Sequence, residues 1–240
     1  MRMDHRVLAS EIDEELRSRA MPERAEHEKS YLKSDLEHYG VPVPAIRTVA
    51  RGVCQRHPDL SHGELVALVA ALWDTPVHER RMVAVELLDL YSSLLLPTDM
   101  AWLEGLLREA RTWALVDGLA ASVVGPLVGR EPKAAAVLDR WAVDQDFWIR
   151  RSALLALLIA LRRGEGDFER FSRYADAILH EKEFFIRKAI GWVLRDTARR
   201  RPRMVYDWLL PRAARASGVT LREAVKPLSE EERRTILSAR

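Results

Sequence analysis

The chain has 240 residues, 48% hydrophobic and 31% charged, with a formal net charge of +2, which is enough apolar material for a packed core and too even a charge balance to name a partner. No segment approaches the roughly 18 uncharged apolar residues of a membrane span, and charges run through MRMDHRVLASEIDEEL, so neither a membrane anchor nor a signal peptide is expected and a cytoplasmic location follows. The single Cys54 excludes an internal disulfide and has no motif around it.

The first hundred residues are acidic, with 12 Lys/Arg against 17 Asp/Glu. Paired prolines at Val41-Pro42 and Val43-Pro44, then Pro58, Pro76, Pro97, Pro126, Pro132, Pro202 and Pro211, punctuate runs of helical length. Segments such as ELVALVAALW, MVAVELLDLYSSLLL, SALLALLIAL and KAIGWVLRDTA are rich in Ala and Leu, without alternating β-branched residues. The reading is all-α, with roughly a dozen helices in a single domain over 1–240 and no Gly/Ser linker. Ser229-Glu230-Glu231-Glu232 reads as the capped start of a solvated last helix. Residues 187–240 carry 14 Lys/Arg against 6 Asp/Glu, so an anion-facing end is expected there.

An internal repeat runs through these elements. Phe147-Trp148-Ile149-Arg150-Arg151-Ser152-Ala153 matches Phe184-Phe185-Ile186-Arg187-Lys188-Ala189-Ile190 at an offset of 37. His78-Glu79-Arg80-Arg81-Met82-Val83-Ala84 is a weaker copy, and Thr112-Trp113-Ala114-Leu115-Val116-Asp117 fills the gap. A period of 35–40 in an all-helical chain predicts a HEAT-like/ARM-like helical repeat solenoid with a concave basic groove.

In register, Arg81, Asp117, Arg151 and Lys188 fall at spacings of 36, 34 and 37 residues. Three cations in a row suit a phosphate backbone. The lone carboxylate is unfavourable beside a polyanion unless it stabilises a developing positive charge. Trp113 lies four residues before Asp117, Trp148 three before Arg151, and Phe185, Lys188, Trp192 and Arg195 form one helical stripe. Trp73, Trp102, Trp141 and Trp208 lack such pairing with the column and are assigned to the core. The seven histidines show no metal-ligand spacing, and neither a metal nor a cofactor is expected.

These residues also carry a resemblance. Trp113 to Asp117 resembles the Trp-x-x-x-Asp signature of the AlkD-like DNA alkylation repair glycosylases, HEAT-like repeat DNA glycosylases. Trp148 to Arg151 is similar to that family's Trp-x-x-Arg segment, and Glu183 to Arg195 resembles its most recognisable block. Lys29-Ser30-Tyr31-Leu32-Lys33 with Gly40-Val41 and Pro44, and Leu221-Arg222-Glu223-Ala224, are similar to its terminal motifs. The ordered matches span about residues 25–226.

The resemblance implies a monofunctional glycosylase acting in base excision repair. It would hydrolyse the N-glycosidic bond of cationic N3- and N7-alkylpurines, bulky adducts included, in duplex DNA without flipping the base. It implies Asp117, Trp113 and Trp192 as catalytic residues. Arg151, Lys188, Arg81, Tyr31, Lys33, Trp148, Phe184 and Phe185 would bind DNA. The partner would be double-stranded DNA containing alkylated purines, bound by a monomer. Ala114, Leu115 and Ile159 depart from the family pattern, with Arg162 and Arg163 near enough to replace a missing cation. The competing reading is a non-catalytic HEAT-repeat scaffold for DNA or protein, which has no use for Asp117 among cations.

Overall fold

The computed structural model describes residues 4–240, and these are all-α. The helices are α1 (His5–Arg17), α2 (Pro22–Leu32), α3 (Val43–Arg56), α4 (His62–Asp74), α5 (His78–Leu90), α6 (Met100–Ala110), α7 (Trp113–Asp117) and α8 (Gly125–Arg130). They continue with α9 (Ala135–Trp141), α10 (Phe147–Leu155), α11 (Leu158–Arg162), α12 (Phe168–Ile178), α13 (Phe184–Ala198), α14 (Pro202–Leu209), α15 (Gly218–Ala224) and α16 (Glu230–Ser238). The number exceeds the dozen expected because long helices are interrupted. A seven-residue π segment, Gly118–Val124, joins α7 to α8, and a two-residue turn separates α10 from α11. Among the described residues the only extended pairing is an isolated bridge between Glu37 and Val77. No described helix is long and apolar enough to cross a membrane.

Local chemistry explains the helix ends. Asp4, Asp146, Asp167, Glu183 and Ser217 accept from backbone N–H groups of their own first turns. Ser61–Glu64 and Ser229–Glu232 form reciprocal capping boxes, the second at the last helix as anticipated. Pro22 and Pro202 open α2 and α14, where a missing N–H costs nothing. Lys33 closes α2 in the left-handed conformation. Gly40 has φ +79, and a Cβ there would lie 2.2 Å from the Met21 carbonyl oxygen, so only glycine fits.

The chain divides into two compact units, one running to Asp99 and adding Ala110–Gly118, the other comprising Met100–Glu109 and Leu119–Arg240. In the first, α5 packs on α3, α4 and α7. In the second, α13 packs on α10, α11, α14 and α15. Within each unit the repeat is visible as side-chain bonds between positions one period apart. In the first, His62 meets Asp99 and the Tyr91 hydroxyl meets the His57 carbonyl, at separations of 37 and 34 residues. In the second, Arg108 meets Asp144 and Arg212 meets Asp176 at 36, Trp208 meets Ser172 at 36, and Lys188 meets Glu223 at 35. Stacked helix pairs of nearly constant length produce this regularity.

Candidate functional site

In the first unit, Trp113 opens α7 and Asp117 closes it one turn later, so both lie on one helix face. Both are half-buried, whereas Leu115 and Val116 between them are fully buried. The Trp113 ring meets Tyr31 edge to face, with centroids 6.0 Å apart. Tyr31 itself is 67% exposed. A carboxylate thus stands one turn from an edge-to-face aromatic pair at the protein surface. Such a pair suits a flat sugar or base face, and the carboxylate suits a nearby positive charge. Lys33 is exposed two residues past Tyr31, at the end of the same helix.

In the second unit, Phe147, Trp148, Phe184 and Phe185 form an aromatic cluster. The Trp148 and Phe185 centroids lie 4.8 Å apart, and Phe184 stands edge-on to Phe185 at 5.6 Å. Phe184 is 53% exposed. Helix α13 then carries Lys188 and Trp192, both part-exposed. Its Gly191 lets α15 approach: a Cβ there would lie 2.8 Å from the Glu223 Cβ and 3.0 Å from the Thr220 carbonyl oxygen. That close approach places the Glu223 carboxylate beside Lys188 Nζ, at 2.9 Å, and Arg195 Nη1, at 2.5 Å. Burial works against the Glu223 charge, but the bonds from Lys188 and Lys226 outweigh it and hold the carboxyl at about 2. Trp192 donates its indole N–H to Asp196, 3.2 Å away. Asp196 is buried and also accepts from Arg162 at 2.8 Å.

Two arginines depart from the sequence reading. Arg81 is only 8% exposed, with its guanidinium over the Trp73 ring at 4.8 Å. Arg151 is 3% exposed, donates to the Phe185 carbonyl oxygen and lies over the Phe185 ring. Neither presents an open cation to a phosphate. Helical spacing sets which turn a residue occupies, but a long flexible arginine can fold back onto a ring of its own unit.

The tryptophan partition fares better. Trp73, Trp141 and Trp208 are buried as assigned, and Trp113, Trp148 and Trp192 are part-exposed. Trp102 is half-buried rather than fully in the core. The anchoring carboxylates Asp196 and Glu223 were not among the expected site residues. The signal that points to Asp196 is its position four residues after Trp192 on the same helix.

Residues 12–228 match the family model described as DNA alkylation repair enzyme. A search of curated protein sequences finds no match. Among solved structures, a predicted DNA alkylation repair enzyme from Enterococcus faecalis superposes with a TM-score of 0.78 at 21% identity, over 88% of this chain and 98% of that one. AlkD2 from Streptococcus mutans superposes with a TM-score of 0.59 at 17% identity, over 77% of this chain and 89% of that one. Both likenesses concern the fold, which is that of the AlkD-type helical repeat proteins. With nine-tenths of its length covered by the family model, the chain belongs to the DNA alkylation repair enzyme family.

Proposed function

We propose that the chain is a monofunctional DNA glycosylase that hydrolyses the N-glycosidic bond of cationic N3- and N7-alkylpurines in duplex DNA. One observation carries the reading: Asp117 stands one turn from Trp113, whose ring meets the exposed Tyr31, in a chain of a DNA repair family. An alkylated purine already bears a positive charge and leaves without a general acid. The barrier is then the positive charge that builds on the sugar as the bond lengthens. An ionised Asp117 stabilises that charge and orients the attacking water. The electron-rich face of Trp113 adds cation–π attraction.

Trp192 is assigned to packing on deoxyribose, a role that needs a fixed ring. Its bond to Asp196 supplies that constraint. Lys188 and Lys33 are assigned to phosphates, Phe184 and Trp148 to the nucleic-acid surface, and Phe185 to supporting them. Arg151 and Arg81 act through the rings they hold. The proposed mechanism has no need to draw the base out of the stack, and bulky N3-adenine adducts belong to its proposed range. It supplies no proton to a neutral base.

The test is single-turnover base release from duplexes carrying N7-methylguanine, N3-methyladenine, a bulky N3-adenine adduct or uracil. Release of one or more cationic lesions, with uracil untouched, is the expected result. Efficient uracil release overturns the proposal, and so does inertness toward every cationic lesion in a protein that still binds duplex DNA.

A further inference from the structure

A second cluster of chemistry-bearing residues lies in the first unit, apart from Asp117. Glu28 of α2, His38 of the connection that follows, and Glu79 at the start of α5 each offer one ligand atom, and these atoms lie within 4.8 Å of one another. We propose that Glu28, His38 and Glu79 form a binding site for a divalent transition-metal ion, of which Zn2+ is the best chemical match.

The first argument is polar satisfaction. Both ring nitrogens of His38 and Oε2 of Glu28 are shielded from solvent and have no hydrogen-bond partner. A buried donor or acceptor without a partner costs about 1–3 kcal/mol, and such atoms on two residues whose ligand atoms lie within 4.8 Å of one another point to something that binds there. Glu28 Oε1 is bonded to Arg24, so the orphan is the second oxygen alone.

The second argument is rigidity. Backbone bonds from Glu37 to the Pro76 carbonyl and from His78 to the Glu37 carbonyl pin the connection to the start of α5. The His38 ring stacks flat on His78, with centroids 4.4 Å apart and planes 9° apart, and His78 is 97% buried. Glu79 accepts from the backbone N–H groups of Tyr39, Gly40 and Val41. Those bonds orient the carboxylate much as outer-shell partners orient metal ligands, and the Tyr39 N–H is shared between its two oxygens.

The third argument is charge and access. A cavity of about 400 Å³ open to solvent is lined by Glu26, Lys29, Asp35, Glu37 and His38. Three acids against one lysine make its wall attractive to a cation.

One imidazole with two carboxylates favours zinc over calcium or magnesium, which prefer all-oxygen sets. Ligand atoms bonded to zinc at about 2.0–2.2 Å lie roughly 3.5 Å apart, so a small side-chain adjustment closes the sphere, with solvent in the open position. The ion would clip the end of α2 and its connection to α5.

The experiment is calorimetric titration of the untagged, chelator-treated full-length chain with ZnCl2, with bound metal counted after dialysis and cobalt substitution read as a visible absorption band. The expected result is one equivalent of zinc and a rise in melting temperature on loading. His38→Gln should weaken binding at least about tenfold. Glu28→Gln, at a part-exposed position that leaves the backbone bonds intact, should weaken it too. His62→Gln, which removes an imidazole elsewhere in the unit, should leave binding unchanged. No saturable binding overturns the proposal and assigns the space to water. Equal affinity in wild type, His38→Gln and Glu28→Gln overturns it in favour of adventitious surface binding.

Discussion

The indole N–H of Trp192 reaches the carboxylate of Asp196 one turn further along α13, at 3.2 Å. The same carboxylate takes two bonds from Arg162, Nε at 2.8 Å and Nη2 at 2.7 Å. Asp196 is buried and Trp192 part-exposed, so the acid acts on whatever the ring touches only by holding the ring. Asp196→Ala frees the indole to rotate. A misplacement of about 1 Å costs up to about a hundredfold in rate, so base release should fall by about tenfold to a hundredfold, with duplex affinity changed less. Asp196→Asn, which can still accept from the indole, should recover part of the rate. An unchanged rate in Asp196→Ala would remove the anchor from the mechanism.

Glu79 makes a sharper stability prediction. Its carboxylate accepts from three consecutive backbone N–H groups, Tyr39, Gly40 and Val41, at 2.6–3.1 Å. Glu79→Ala leaves all three buried donors without an acceptor, which should cost at least about 3 kcal/mol at about 1–3 kcal/mol each. Glu79→Gln keeps an acceptor oxygen and should cost less than half as much. Urea denaturation checks both, and a loss under about 1 kcal/mol in Glu79→Ala would mean that water replaces the carboxylate.

Glu104 and Glu223 lead the acid-sensitive carboxylates of the second unit, where arginines also hold Asp144 and Asp176 down. Bonds from Arg140, then Arg108 and Trp141, hold Glu104 down at about 2 against burial, and Glu223 also stands at about 2. Both folded values lie below the ordinary 4.5. A depressed folded value contributes stability in full above the unfolded value and loses it as pH falls toward the folded one. Melting temperature should therefore fall steeply between pH 4.5 and 2. The double variant Glu104→Gln/Glu223→Gln should start lower at pH 7 and show a flatter acid limb. An equally steep limb in that variant would place the acid sensitivity elsewhere.

The buried Arg151 separates two kinds of binding residue. Lys188 has a side chain 43% exposed, and Lys188→Ala should weaken duplex binding and lower the slope of log affinity against log salt by about one charge. Arg151 holds the Phe185 carbonyl and ring from inside. Arg151→Ala should lower the melting temperature and leave that salt slope nearly unchanged. A full unit of slope lost in Arg151→Ala would show that the guanidinium leaves its ring to meet phosphate.

These contrasts mark what one sequence makes legible. The period of 34–37 residues survives as bonds between repeats, because each helix pair adds a nearly fixed length of chain. The part-exposed Trp113, Trp148 and Trp192 were legible because each stands three or four residues from a member of the repeat column, Asp117, Arg151 or Lys188. A charge at that spacing is not enough by itself, since the buried Trp208 stands four residues from Arg212. Arg81 and Arg151 misled because register specifies a turn of helix, whereas burial depends on which ring the side chain finds. The Glu28, His38 and Glu79 cluster was illegible for another reason. Its members are separated by 10 and 41 residues, and one sits in a connection whose path depends on Gly40 and the carboxylate of Glu79 itself.

Asp117 carries the reaction in the proposed mechanism, and its removal is the decisive test. Asp117→Asn keeps shape and polarity at the end of α7, where the residue is half-buried, so fold and duplex affinity should persist. The negative charge is lost. If that charge stabilises a cationic sugar, the loss should be roughly a hundredfold or more in single-turnover release, about 3 kcal/mol. The effect should appear in the rate at saturating enzyme and not in the binding constant, because the positive charge exists only as the bond breaks. Trp113→Ala is a weaker probe, since its ring also meets Tyr31 and its loss alters the surface as well as the chemistry. Equal release by wild type and Asp117→Asn from an N7-methylguanine duplex would take the carboxylate out of the mechanism. The aromatic pair would then stand as a binding surface alone, and the scaffold reading would return.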